Sequence, residues 1–312
     1  MKRPNFIIVG APKCGTTALS EYLRAHPNVF VSDPKEPHYF AEDFDLLRIT
    51  KTEAAYHQLF AKATSEHAAV GEASTGYLYS RAAIPKILEY EPKMKLIVML
   101  RNPIELVHAW HAQRYYAADE DEPDFERAWR LRMERREGRS LPRRYRHAEL
   151  LDYEAFGKLG EQVERAFGVA GKEKVHVILF DDFRTNTKSE YEKTLRFLGL
   201  KSDGRTEFPR VNENRTHRFR VLGEFTQRPP WPIPQLTRTI KAVTGFQRLR
   251  ILEPVRELNR QREARAPISA GLRAELADSF RDDVRLLGQL IGRDLSAWLA
   301  VPNPARVESS AP

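Results

Sequence analysis

Phe6-Ile7-Ile8-Val9-Gly10-Ala11-Pro12-Lys13-Cys14-Gly15-Thr16-Thr17 sets the architecture of this chain. Four apolar residues run into Gly10, as a short buried strand does. After the loop, Ala18, Leu19, Tyr22 and Leu23 recur at helical spacing. The order is strand, loop, helix. Small residues let the loop backbone bend so that successive N–H groups face one point, and the helix start adds unpaired donors and the positive end of a dipole. Lys13 contributes a full charge, and Thr16 and Thr17 contribute hydroxyls. With Cys14 and Gly15 they make an anion cradle. The plainer alternative is an ordinary strand-to-helix turn with glycine for tightness.

Beyond that helix, Asn28–Val31 reads as a second short strand after the stop signal His26-Pro27. Leu96–Leu100 and Val175–Phe180 are continuous apolar runs, as expected of strands covered on both faces. Strands alternating with helical stretches predict an α/β fold: a doubly wound, mainly parallel sheet with a P-loop-type phosphate loop and helices on both faces. Near the carboxyl end, Leu272, Leu276, Phe280, Val284, Leu287 and Ile291 form one apolar stripe, predicting a packing helix over 269–292 capped by Ser269. One domain over residues 1–312 is expected, with excursions near 117–146 and 216–265. In the first, the acids Asp119–Glu122 give way to arginines; this is either a solvated helix and loop or a wall for an acidic or polyhydroxylated acceptor. The second contains the stiff segment Arg228-Pro229-Pro230-Trp231-Pro232-Ile233-Pro234.

The 312 residues are 41% hydrophobic, enough for a packed core, and 51 Lys and Arg stand against 43 Asp and Glu. A net charge of +8 favours anionic partners without choosing among them. Basic residues are scattered among acids with no interleaved aromatic segment, so no nucleic-acid partner is expected. One cysteine, Cys14, excludes an internal disulfide framework and a cysteine-built metal site. The amino end lacks a signal-peptide pattern and no apolar run is long enough to span a bilayer, so a cytoplasmic protein is expected.

The loop departs from the nucleoside triphosphate pattern, which places Lys directly after the second Gly. Here Thr16 follows Gly15, and Lys13 lies two residues earlier. The Leu96–Leu100 strand ends at Arg101-Asn102-Pro103 and a helical stretch from about Ile104 to Tyr116. An Arg emerging there lies where ligands bind in such sheets, and its guanidinium suits a phosphate. The alternative is an ion pair with Glu105. After the second strand, Lys35-Glu36-Pro37-His38-Tyr39-Phe40 offers a carboxylate and an imidazole side by side.

Pro-Lys-x-Gly-Thr-Thr resembles the 5′-phosphosulfate loop of sulfotransferases that use 3′-phosphoadenosine-5′-phosphosulfate (PAPS). Strand-Arg-Asn-Pro is similar to the 3′-phosphate site of the same family, which implies that role for Arg101. The family's usual Ser eight residues further on is Ala109 here, so that contact falls to His108, His111 or a backbone group, or affinity is lower. Lys-Glu-x-His-Tyr-Phe resembles the stretch bearing the catalytic carboxylate in the heparan sulfate sulfotransferase-like branch. It implies Glu36 as general base and His38 as a second candidate or aid. Gly71-Glu72-Ala73-Ser74-Thr75-Gly76-Tyr77 resembles a further segment, which implies that Glu72 and Tyr77 line the acceptor pocket. Val211-Asn212-Glu213-Asn214-Arg215 resembles a segment returning to the cofactor, which implies Arg215. The resemblance runs from residue 6 to about 298, with poor matches between roughly 117 and 145 and near 216–265. It implies sulfuryl transfer from PAPS to a hydroxyl or amine of a carbohydrate, lipid or natural product, without a metal, with Lys13 stabilising charge on the breaking bond. A P-loop kinase using Asp181 for magnesium, and a catalytically idle nucleotide binder, are the alternatives.

Overall fold

The computed structural model describes residues 2–209, 211, 216–217, 260–261 and 265–300. Five strands, β1 (Phe6–Gly10), β2 (Val29–Val31), β3 (Ala69–Ala73), β4 (Lys95–Leu100) and β5 (Val175–Leu179), form one sheet in the order β2-β3-β1-β4-β5. Every pairing in it is parallel. Phe6, Ile7, Ile8 and Val9 are fully buried, as are Leu96–Leu100 beside them. β3 is a strand that apolar runs do not reveal, because Ala69-Val70-Gly71-Glu72-Ala73 is short, small and interrupted by a carboxylate. Its smallness is the point of the contact. Gly71 pairs with Phe6, and a Cβ at Gly71 would stand 2.3 Å from the Phe6 carbonyl oxygen.

From β1 the chain passes through helix α1 (Thr16–Arg24) to β2 in one direction across the sheet. It then steps through β3 and β4 to β5 in the other. Right-handed crossovers taken in opposite directions put α1 on one face and the helices Ala83–Tyr90 and Leu159–Ala170 on the other. The sheet is therefore doubly wound, as expected. The reversal falls at β1 and β4, so a crevice opens beyond their carboxyl ends.

The stripe at the carboxyl end is buried at Leu272, Leu276, Phe280, Val284 and Leu287. It is carried by two helices, Ala270–Ser279 and Arg281–Ile291, where one was expected over 269–292. The break is at Phe280, whose ring is pressed so close to Gly157 that a Cβ there would be 2.5 Å from it. Phe280 itself departs from helical geometry, at φ −98° and ψ 1°. Ser269 caps the first helix, accepting from the Leu272 N–H at 3.2 Å. Asp283, on the second, accepts from the N–H groups of Gly160 and Glu161 at 2.8 and 2.9 Å and so caps Leu159–Ala170 from outside.

The chain gathers into two compact units, one drawn from Met1–Val107, Tyr153–Asn212 and Ser269–Pro312, the other from His108–Asp152 and Glu213–Ile268. In the second, some charged residues of 117–146 turn on one another, while others, such as Arg127, Arg130 and Arg139, stay exposed. Arg135 grips Glu120 with two hydrogen bonds of 2.7 and 2.8 Å, both side chains buried, while Arg114 and Arg146 share Asp119. Paired, planar geometry is what allows such charges inside; the solvated reading fails for these residues. Thr216–His217 pairs antiparallel with Arg260–Gln261. The proline-rich segment 228–234 lies outside the described residues. Among those described, no helix is long and apolar enough to cross a membrane.

Candidate active site

The polar residues singled out in the sequence collect at the carboxyl ends of neighbouring parallel strands. Lys13 follows β1, Glu36 and His38 follow β2, and Arg101 follows β4; Ser74 and Thr75, which the sequence did not single out, follow β3. The loop after β1 is tied to β4 by the Ala11 N–H donating to the Met99 carbonyl at 2.7 Å. Gly15 then caps α1 at φ 88°, without a side chain of its own. A Cβ at Gly15 would lie 3.2 Å from the Phe180 ring, and the Arg101 guanidinium stands over that same ring, 4.9 Å from its centre. Loop and guanidinium thus share one aromatic neighbour. Cys14, between them, is fully buried, and burial pushes its thiol up to about 12 against the opposing charges of Arg101 and Lys13. Lys13 follows β1 and Arg101 follows β4, and because those strands are parallel neighbours the two residues lie at the same end of the sheet. Buried and protonated, Cys14 is a packing residue.

Arg101 meets Glu105 at 3.5 Å through Nη2, but Glu105 is held more closely by Arg273, at 2.9 Å. Asn102 caps the helix Pro103–Tyr116 through its carboxamide oxygen, which accepts from the Ile104 N–H at 2.9 Å. Ala109 lies on that helix, buried, and its methyl offers no hydrogen bond.

Glu36 is the hub of the loop after β2. Its side chain is 40% exposed, and the Thr75 hydroxyl donates to Oε1 at 3.0 Å. His38 Nε2 lies 3.5 Å from Oε2, and Lys35 Nζ lies 3.6 Å from Oε1. Burial acts to raise the Glu36 pKa, but the His38 and Thr75 hydrogen bonds and the Lys35 charge outweigh it and hold the carboxyl at about 2. Glu36 is therefore an anion throughout the physiological range. The His38 Nδ1 is buried without a hydrogen-bond partner. Lys13, Glu36 and His38 all adopt left-handed φ, at 64°, 62° and 50°.

Glu72 and Tyr77, expected to line an acceptor pocket, do not. Both are fully buried and face each other, with the Tyr77 hydroxyl donating to Glu72 Oε1 at 2.9 Å and Ser74 to Oε2 at 2.6 Å. Ser74 Oγ in turn accepts from the His38 N–H at 3.0 Å, and Tyr77 OH from the Phe40 N–H at 3.3 Å. The pair scaffolds the Glu36–His38 loop from beneath. Burial raises the Glu72 carboxyl to about 7 despite the hydrogen bonds from Ser74 and Tyr77. Arg215 lies outside the described residues. Sequence reasoning passed over Thr75, Ser74, Phe180 and above all Lys35, which donates to Thr17 Oγ1 at 2.8 Å. Asp181, the magnesium ligand of the kinase alternative, instead accepts from the Trp298 indole at 3.1 Å.

The donor set suits an extended dianion: a glycine-capped helix start with flanking hydroxyls and amine, and a guanidinium across the β1–β4 crevice. A family model described as "Sulfotransferase domain" matches residues 3–218. A solved structure, "Crystal Structure of Sulfotransferase from Alicyclobacillus acidocaldarius", is 28% identical and aligns over 96% of this chain and 100% of that one, with a TM-score of 0.68. Carbohydrate sulfotransferase 15 of Rattus norvegicus is 30% identical over 39% of this chain and 28% of its own length. Heparan sulfate glucosamine 3-O-sulfotransferase 3B1 of Homo sapiens is 36% identical over 32% of this chain and 24% of its own length. The chain thus spans less than a third of these curated relatives.

Proposed function

The chain belongs to the sulfotransferase domain family, and from that premise we propose that it moves a sulfuryl group from PAPS to a hydroxyl or amine of a carbohydrate, lipid or natural product. The observation that supports this reading is that Lys13 and Arg101 follow adjacent parallel strands at the same end of the sheet, with the ionised Glu36 linked to the start of α1 through Lys35.

When bound, PAPS supplies the sulfuryl group and a leaving group already ionised at the 5′-phosphate. The loop amides with Thr16 and Thr17 hold that 5′ end, and Arg101 holds the 3′-phosphate. Lys13 neutralises charge that grows on the oxygen released from sulfur, a contact made mainly in the transition state. Glu36 accepts the proton of the attacking hydroxyl or amine. The His38 Nε2–H and the Thr75 hydroxyl hold its two oxygens, fixing where the proton is received. Glu72 and Tyr77 keep that loop in place.

Thermal stabilisation by ligands tests the reading, since a ligand that binds the folded state raises the midpoint by mass action. Adenosine 3′,5′-bisphosphate is expected to stabilise the protein strongly and ATP with magnesium weakly. The reverse order would favour a kinase. Stabilisation without sulfate transfer to a broad panel of acceptors would leave a nucleotide binder only.

A further inference from the structure

Lys35 leaves the loop after β2 and crosses to the first turn of α1. Its ammonium has three N–H donors, and three oxygens surround it: Thr17 Oγ1 at 2.8 Å, Thr16 Oγ1 at 3.4 Å and Glu36 Oε1 at 3.6 Å. The closest partner is a neutral hydroxyl, and the neighbouring carboxylate is the farthest. A lysine held only by its ion pair would show the opposite order. The side chain is 20% exposed, and burial lowers its pKa, opposed by Glu36. Desolvating an ammonium to reach a hydroxyl is costly unless the geometry serves another purpose.

A hydroxyl has one proton and two lone pairs. An ammonium can only donate, so it occupies a lone pair of Thr17 Oγ1 and leaves the hydroxyl proton to point elsewhere. At the start of α1, elsewhere is the cradle that the amides face.

Resting on the sulfotransferase reading, we propose that Lys35 is a positioning residue that aims the Thr17 hydroxyl proton at the 5′-phosphate end of the donor and couples the anion loop to Glu36. It acts through Thr17, and it spans the two loops that must be in register for transfer: the one holding the leaving group and the one holding the base.

The test is binding, measured by calorimetry, with two probes: adenosine 3′,5′-bisphosphate and adenosine 3′-monophosphate, which lacks the 5′ group. Lys35→Met is expected to weaken the bisphosphate about tenfold, the usual scale for a hydrogen bond involving a charged group, and the monophosphate by less than about twofold. Thr17→Val should produce the same selective loss, and the double variant should be no worse than the weaker binder of the two single variants, because one interaction is removed twice. Lys35→Arg, which keeps charge and donors, should restore bisphosphate affinity to within about threefold. Should Lys35→Met not fold, Lys35→Gln, which loses the charge, carries the same expectation. Equal weakening of both probes, or fully additive losses in the double variant, would overturn the proposal, since a merely structural lysine would behave that way. Parental binding of the bisphosphate with no effect at Lys35 overturns this inference alone. No binding of the bisphosphate by the parent protein overturns the sulfotransferase reading with it.

Discussion

Replacing Glu72 by Gln removes a buried ionisable group while keeping its shape and its hydrogen-bonding reach. The carboxyl is fully buried and titrates at about 7, against 4.5 for an unhindered glutamate. A carboxyl raised in this way holds a proton in the folded state that the unfolded chain has already released. Its contribution to stability is therefore full below the unfolded value, 4.5, and is lost as pH rises through the folded value, about 7. With those two values, linkage gives a loss of about 2–3 kcal/mol between pH 5 and pH 8. Glutamine does not titrate. Its amide can accept from Tyr77 and donate to Ser74, whose oxygen has a lone pair for it besides the one that takes the His38 N–H. The measurement is a urea unfolding series at pH 5, 7 and 8 on parent and Glu72→Gln. At a slope of about 3 kcal/mol per M, the parent midpoint should fall relative to the variant by roughly 0.8 M across the series. Parallel pH profiles would refute the reasoning, because the folded carboxyl would then titrate where the unfolded one does.

Three further outcomes are expected. Lys13→Ala should lower kcat by about 10²- to 10³-fold while circular dichroism stays parental; near-parental turnover would remove Lys13 from the chemistry. Gly15→Ala meets a left-handed φ of 88° and the Phe180 ring at 3.2 Å, so thermal unfolding should show a loss of about 1–2 kcal/mol or more. Weaker binding of adenosine 3′,5′-bisphosphate should accompany it. Ser269→Ala deletes the acceptor for the Leu272 N–H and should cost about 1 kcal/mol in chemical denaturation, without affecting nucleotide binding.

The sequence carried the middle of the sheet plainly, since strands buried on both faces must be apolar throughout, and β1 and β4 are. It carried the strand-loop-helix order from β1 to α1 as well, because the apolar run stops at Gly10 and helical spacing resumes after Gly15. Short-range pattern could not show β3, whose fitness lies in what Gly71 lacks, seen only once Phe6 is beside it. Nor could it show that Arg135 turns inward, because composition cannot tell a solvated charge from one paired with a partner fifteen residues away, as Arg135 is with Glu120. Glu72 and Lys35 are two forms of one lesson. A carboxylate beside a site motif was expected to face the acceptor and is instead sealed beneath it. A lysine beside Glu36 reaches past it to the helix that carries Thr17. Direction along a chain is readable; the side to which a long side chain swings depends on a neighbour eighteen residues off.

The backbone at positions 13, 36 and 38 has a bearing on engineering. Each of these residues sits in a region that an L side chain enters at a cost of about 1–2 kcal/mol and glycine enters freely. A chain tuned for endurance alone would carry glycine at all three, and would have neither amine, carboxylate nor imidazole at the mouth of the sheet. Screens for hardier variants will therefore be drawn towards these positions, and, on the roles proposed for these residues, heat resistance gained there is expected to cost turnover.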